Sequence, residues 1–119
     1  MPKRTFAHHR LEAYRAALDL AEAGHRLARR IPRGYRWLAD HLVRAACAAP
    51  VLTAEGANRV SPGTKRQRFA EALGECGEAA AVAEVVERLS LVRGEEPAAV
   101  LAHADQAAAL LHGLVRKHA

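Results

Sequence analysis

The spacing with the most chemical content in this sequence is Glu22-Ala-Gly-His25. On a helix it sets a carboxylate and an imidazole one turn apart, as in bundles that hold a bridged pair of iron or manganese ions. Such a centre needs a second Glu-x-x-His and a Glu from each of two further helices. The chain contains no second Glu-x-x-His. Glu22 is therefore read as a surface carboxylate and His25 as a ring at the edge of a helix seam. The second helix could offer Asp40 or His41, but the inward stripes otherwise present Ala and Leu, and His8, His9, His41, His103 and His112 lack metal-ligand spacing. Cys47 and Cys76 fall on neighbouring expected helices and could face each other. Each is expected as a small buried hydrophobe in a reducing, cytoplasmic setting rather than as half of a disulfide. No Gly-x-Ser-x-Gly and no phosphate-cradling Gly loop occurs. The expectation is a protein without catalysis, cofactor or metal.

The remaining chemistry is charge. The formal net charge is +5, unevenly divided: residues 1–68 carry 14 Lys/Arg against five Asp/Glu, and residues 69–119 carry four against eight. A basic half suits polyanions, and opposite halves also suit contact between copies of the chain. Within the second helix, Arg44 and Glu55 lie eleven residues apart, three turns, and share one face of an otherwise apolar segment. They are expected in structural ion pairs, Glu55 with a base from a neighbouring helix or subunit and Arg44 with an acid from the third helix.

The elements that must position these groups are helical. The 119 residues include 28 Ala and only five Phe, Trp and Tyr, a composition that favours helix over sheet. Four helices are predicted, over about 9–31, 35–58, 65–92 and 97–117. In the first, Leu11, Tyr14, Leu18, Ala21, His25 and Ala28 recur at helical spacing and are expected to form the seam. Leu20, Leu27 and Ile31 form a second apolar edge, and Pro32 with Gly34 ends the helix. The second helix has Leu38, Leu42, Ala45, Ala49 and Leu52 as its stripe, with Pro50 inside it and no charge from Ala45 to Ala54. Thr64 with Gln67 reads as a capping box for the third helix, whose stripe is Phe69, Leu73, Cys76, Ala80 and Ala83 and whose stop is Gly94. Val82, Val86 and Leu89 form its second edge. Pro97 opens the fourth, with Leu101, Ala104, Ala108, Leu111 and Val115 as its stripe.

Four such helices on short connections predict one all-α domain over 1–119, an up-down-up-down antiparallel bundle. No run of about 18 apolar residues is present, so no membrane span is expected. The second apolar edges of the first three helices exceed what one bundle interior needs, which predicts a homo-oligomer. The topology gathers Lys3, Arg4, Arg10, Arg59, Lys65, Arg66, Arg68, Arg116 and Lys117 at one pole. Arg26, Arg29, Arg30, Arg33 and Arg36 gather at the other, diluted by Glu95 and Glu96. Clustered guanidinium groups with few aromatic neighbours suit phosphate contacts and so backbone-directed, salt-sensitive nucleic-acid binding.

Arg44-Ala45-Ala46, Pro50, Ala54-Glu55-Gly56, Arg59, Arg68-Phe69 and Ala72-Leu73-Gly74 occur in an order that resembles a known family. That family comprises the small bacterial four-helix-bundle proteins encoded in intervening sequences of large-subunit ribosomal RNA genes. Ile31-Pro32 fits the apolar residue and Pro that follow its first helix, and the resemblance runs from about Leu11 to Leu91. The chain departs from the family's usual Ser and Asn around the mid-helix Pro, where it has Ala48, Ala49, Val51, Leu52 and Thr53. Members are similar to the accessory proteins of diversity-generating retroelements, which form five-membered rings and bind nucleic acid and a reverse transcriptase. The resemblance implies a helical bundle, a ring of five subunits, nucleic acid and a reverse transcriptase or similar enzyme as partners, and no catalysis. The alternative function is a protein-interaction scaffold without a nucleic-acid role.

Overall fold

The structure is a computed structural model that describes residues 6–119. A 3₁₀ turn at Ala7–Arg10 precedes α1 (Glu12–Ala28), and a second at Arg33–Tyr35 leads into α2 (Arg36–Asn58); α3 (Pro62–Arg88) and α4 (Glu96–Lys117) complete the chain. Each helix packs on its neighbours in the order α1, α2, α3, α4 and back to α1, while α1 and α3 barely touch across the diagonal. This is the expected antiparallel all-α bundle. Its boundaries are as expected for α2 and α4. Helix α1 is shorter at both ends, because Leu11 is extended and the chain tightens after Ala28.

The seam of α1 corrects the sequence expectation. Its buried face is Ala13, Ala16, Ala17, Leu20, Ala23, Gly24 and Leu27, whereas Leu18 is exposed and Tyr14, Ala21 and Ala28 lie at the margin. Apolar weight favoured the Leu-Tyr stripe, but close approach favours the small one. A Cβ added to Gly24 would stand 2.6 Å from the Cβ of Ala46 on α2, so only a face of Gly and Ala admits that contact. The larger side chains are left outside.

The other helices follow their stripes more closely. In α2, Leu38, Leu42, Ala45 and Ala49 are buried and Leu52 is half-buried. Pro50 removes the bond that residue 50 would donate to the Ala46 carbonyl, yet the helix continues through it. Thr53, fully buried beside it, donates its hydroxyl to the Ala49 carbonyl at 2.7 Å. The polar group near the proline is thus satisfied within its own helix. In α3 the two expected edges merge into one buried face of Phe69, Ala72, Cys76, Ala79, Val82, Ala83 and Val86, and Leu89 stays outside. In α4 the core residues are Val100, Ala104, Ala107 and Leu111, with Leu101, Ala108 and Val115 half-buried. By length and composition alone α4 would be apolar enough to cross a membrane; here it packs against α1 and α3.

Two caps differ from the sequence expectation. Helix α3 starts at Pro62 with Ser61 as its N-cap, the Ser61 hydroxyl accepting from the Thr64 amide at 3.2 Å. Thr64 therefore lies inside the first turn, and its hydroxyl donates to the Ser61 carbonyl at 3.0 Å. At the other end the stop is Ser90, not Gly94. Ser90 adopts a left-handed φ of 53°, and the amides of Ser90 and Leu91 return to the carbonyls of Glu87 and Val86, both at 3.0 Å. That is a Schellman closure. Gly94, at φ 117°, shapes the following turn.

Candidate nucleic-acid interface

Three contacts knit one pole of the bundle together. The Asn58 side-chain amide at the end of α2 meets His8 Nδ1 of the first 3₁₀ turn at 2.8 Å. The His118 ring, just past α4, lies 5.7 Å from the Phe69 ring near the start of α3. Lys65, in the first turn of α3, donates its ammonium to the Ala57 carbonyl at 2.8 Å and to that of Gly56 at 3.3 Å. The α1 entry, the α2–α3 turn and the end of α4 therefore share a surface, as the topology predicts.

The cations of that pole divide by what they touch. Arg10, Arg59, Arg66, Arg116 and Lys117 are exposed and make no ion pair among the described residues. Lys65 is committed to the carbonyls that end α2, where its charge also favours the negative end of the helix dipole. Arg68 is half-buried, with Nη1 on Glu71 Oε1 at 2.6 Å. That hydrogen bond, then the Glu71 charge, hold its pKa above the ordinary value, with a smaller contribution from Glu55. Lys3 and Arg4 lie outside the described residues.

His8 and His118 share this surface, and both are held below the ordinary imidazole pKa. Burial is the larger cause in each case; the His9 charge adds to it at His8, and Lys117 and Lys65 add to it at His118.

The helix α2 charges sit differently from each other. Glu55 is half-buried with Oε2 shielded and without a hydrogen-bond partner, and Arg68 Nε across the α2–α3 seam is orphaned likewise. Arg44 is exposed; its Nη2 donates to His41 Nδ1 at 3.0 Å. His41 in turn reaches α3 through Nε2 to Glu78 Oε2 at 2.7 Å. The acid of the third helix thus meets His41, and Arg44 stands behind that ring.

Outside the basic pole, Glu22 faces solvent and pairs with Arg26 at 3.4 Å, and His25 is exposed. Neither points into the bundle interior. Among the described residues no three His, Cys, Asp or Glu side chains converge as a metal site would require. Cys47 is an exposed free thiol, and Cys76 is buried, its pKa pushed up to about 11 chiefly by desolvation.

Sequence reasoning missed a groove of about 540 Å³ on the α1–α2 face, lined by Tyr14, Leu18, Pro50, Val51 and Ala54, with Glu55 and Arg59 at one end. The signal was present in the misassigned Tyr14–Leu18 stripe. Leu18, Val51 and, further along α2, Trp37 are large apolar side chains left exposed at 44%, 61% and 66%.

A basic antiparallel four-helix bundle with arginines gathered at both poles is the class that fold and surface define. The chain belongs to the 23S rRNA-intervening sequence protein family, whose model matches residues 9–113. In fold it is similar to a Bacteroides thetaiotaomicron protein of unknown function from the S23 ribosomal protein family. That crystal structure superposes with a TM-score of 0.79 at 14% identity, over 87% of this chain and 98% of the other. Among curated proteins none matches this chain.

Proposed function

We propose that this protein is a non-catalytic, homo-oligomeric bundle that binds the backbone of RNA or DNA through its basic pole. It would act in the cytoplasm as an accessory to a reverse transcriptase or another nucleic-acid enzyme. One observation carries the reading: Arg10, Arg59, Arg66, Arg116 and Lys117 are exposed, and make no ion pair among the described residues, on elements tied together by the Asn58–His8, Phe69–His118 and Lys65–Ala57 contacts. Unneutralised guanidinium groups fixed on rigid elements suit phosphate oxygens and carry little sequence information. Repetition of the pole around a symmetry axis, five-fold by the family resemblance, would multiply its field. The exposed row of Leu18 and Val51 beside the α1–α2 groove supports assembly, since a contiguous apolar patch on a surface marks a contact site.

That same row favours a second reading, a protein-interaction scaffold indifferent to nucleic acid. The experiment that separates the two is light-scattering mass at low and high salt, with and without a structured RNA. Backbone binding predicts an oligomer that takes up RNA at low salt and sheds it as salt rises, log K falling by about 0.9 per neutralised phosphate against log salt. Joint reversal by Arg59→Glu, Arg66→Glu and Arg116→Glu should weaken binding and flatten that slope. A discrete oligomer that ignores RNA at every salt establishes the scaffold reading instead.

A further inference from the structure

At the pole opposite the proposed nucleic-acid surface, the α1–α2 turn borders a second, open cleft of about 400 Å³. Its floor is apolar, with Ile31, Pro32 and Val43, and its walls carry Arg29, Arg33, Arg36, His25 and Asp40. The neighbouring arginines show which cations are spoken for. Arg26 pairs with Glu22. Arg30 ties the end of α1 to the α3–α4 turn, donating to Glu96 Oε2 at 2.9 Å and to the Arg93 carbonyl at 3.1 Å. Arg29, Arg33 and Arg36 make no ion pair or side-chain hydrogen bond among the described residues, and all three line the one cleft. Five arginines thus sort into one paired along its own helix, one that ties α1 to the α3–α4 turn, and three that line a concavity.

We infer that this cleft is a binding site for a phosphomonoester attached to a flat or apolar body, the chemistry shared by a nucleoside monophosphate and the 5′ end of a nucleic acid. Three guanidinium groups against one carboxylate match a dianion better than a singly charged group. Planar forks suit terminal phosphate oxygens, of which a monoester offers three and an internal diester two. The apolar floor supplies a surface for the attached base or sugar, and the volume lies in the range of small-ligand sites. None of these residues belongs to the pole proposed to grip the backbone, so the inference does not depend on that reading.

The test is calorimetric titration of the full-length protein with adenosine monophosphate, adenosine and inorganic phosphate. Saturable binding of the monophosphate is expected, with adenosine weaker by about tenfold or more for want of charge-assisted hydrogen bonds, and phosphate weaker by about tenfold or more for want of the buried apolar body. Arg33→Ala with Arg36→Ala should lower the affinity by at least about tenfold while the far-ultraviolet circular dichroism stays unchanged, and Asp40→Asn should raise it. Equal binding of adenosine and its monophosphate, or an unchanged affinity in the doubly substituted protein, would overturn the proposal. So would loss of binding on Arg59→Glu with Arg66→Glu, which would place the phosphate at the opposite pole. Single-stranded RNA with and without a 5′ phosphate then identifies the source: a preference for the phosphorylated end marks a nucleic-acid terminus, and equal affinity marks a free nucleotide.

Discussion

Gly56 of α2 lies against the ring of Phe69 of α3, so close that a Cβ on Gly56 would stand 2.7 Å from two of the ring carbons. The ring is itself almost fully buried at the basic pole and has little room to yield. Ala54-Glu55-Gly56 and Arg68-Phe69, separate features in the sequence, are one contact in the fold. With Gly24 against Ala46, it fixes how closely α2 approaches both α1 and α3.

The substitution Gly56→Ala is therefore expected to destabilise the protein although alanine is the better helix former. Propensity alone would add about 1 kcal/mol, but overpacking a well-filled contact costs about 1–3 kcal/mol. A net loss of up to about 2 kcal/mol should appear in denaturant unfolding; a gain would mean that the helices slide apart freely at this point.

Gly74 and Gly77 of α3 provide the contrast. A Cβ at either meets nothing within 4 Å in the protomer, so Gly74→Ala and Gly77→Ala should each stabilise by about 0.5–1 kcal/mol through the unfolded state. Ser90→Gly should act in the same direction, because Ser90 pays for a left-handed φ of 53° that glycine adopts without strain. Thermal unfolding of the three variants measures this, and a fall in stability on Gly74→Ala or Gly77→Ala would place another copy of the chain against that face.

Much of this architecture was legible in the sequence, and the part that was not has a common cause. Helix number, order and the boundaries of α2 and α4 followed from apolar spacing with Pro and Gly punctuation. The seam of α1 did not, since hydrophobicity ranks Tyr14 and Leu18 above Ala16, Ala17 and Gly24. Packing instead selected the residues small enough to let α1 reach Ala46. Among the basic residues, Lys65, Arg66 and Arg68 looked equivalent. Only three-dimensional placement shows that the first caps α2, the second is free and the third faces Glu71. The stop at Ser90 was hidden because a residue other than glycine holds the left-handed position there, at a cost that the flanking backbone bonds offset.

That division separates stability from binding at adjacent positions. Lys65→Met removes the donor to the Gly56 and Ala57 carbonyls and should cost about 0.5–1.5 kcal/mol of stability. Arg66→Met, at an exposed and unpaired side chain, should leave stability within about 0.5 kcal/mol while lowering RNA affinity at low salt. Unfolding and binding measured on the same two variants check the contrast. Equal effects on both quantities would show that Lys65 also reaches the ligand.

The two thiols should differ in the same discriminating way. Cys47 is exposed and should react with a maleimide or disulfide reagent in the native protein. Cys76, buried with its pKa pushed up to about 11 by desolvation, presents almost no thiolate at neutral pH and should react only on unfolding. Mass spectrometry after brief native labelling should find one adduct per chain. Protection of Cys47 in the assembled protein would instead map it to an interface on the outer face of α2.

The basic pole also carries a pH dependence with a definite sign. His8 and His118 are both held below the ordinary imidazole value of 6.5. Between those lowered values and 6.5 the unfolded chain binds more protons than the folded one, so stability rises with pH through this window. The contribution is complete above about pH 6.5 and is lost as pH falls through the folded pKa values. Histidine proton resonances followed by nuclear magnetic resonance should therefore show both rings titrating below 6.5. Because the Lys65 charge is one cause of the shift at His118, Lys65→Met should move the His118 midpoint upward and leave that of His8 in place. A His118 midpoint at or above 6.5 in the unsubstituted protein would contradict both its burial against Phe69 and the cationic surroundings assigned to this pole.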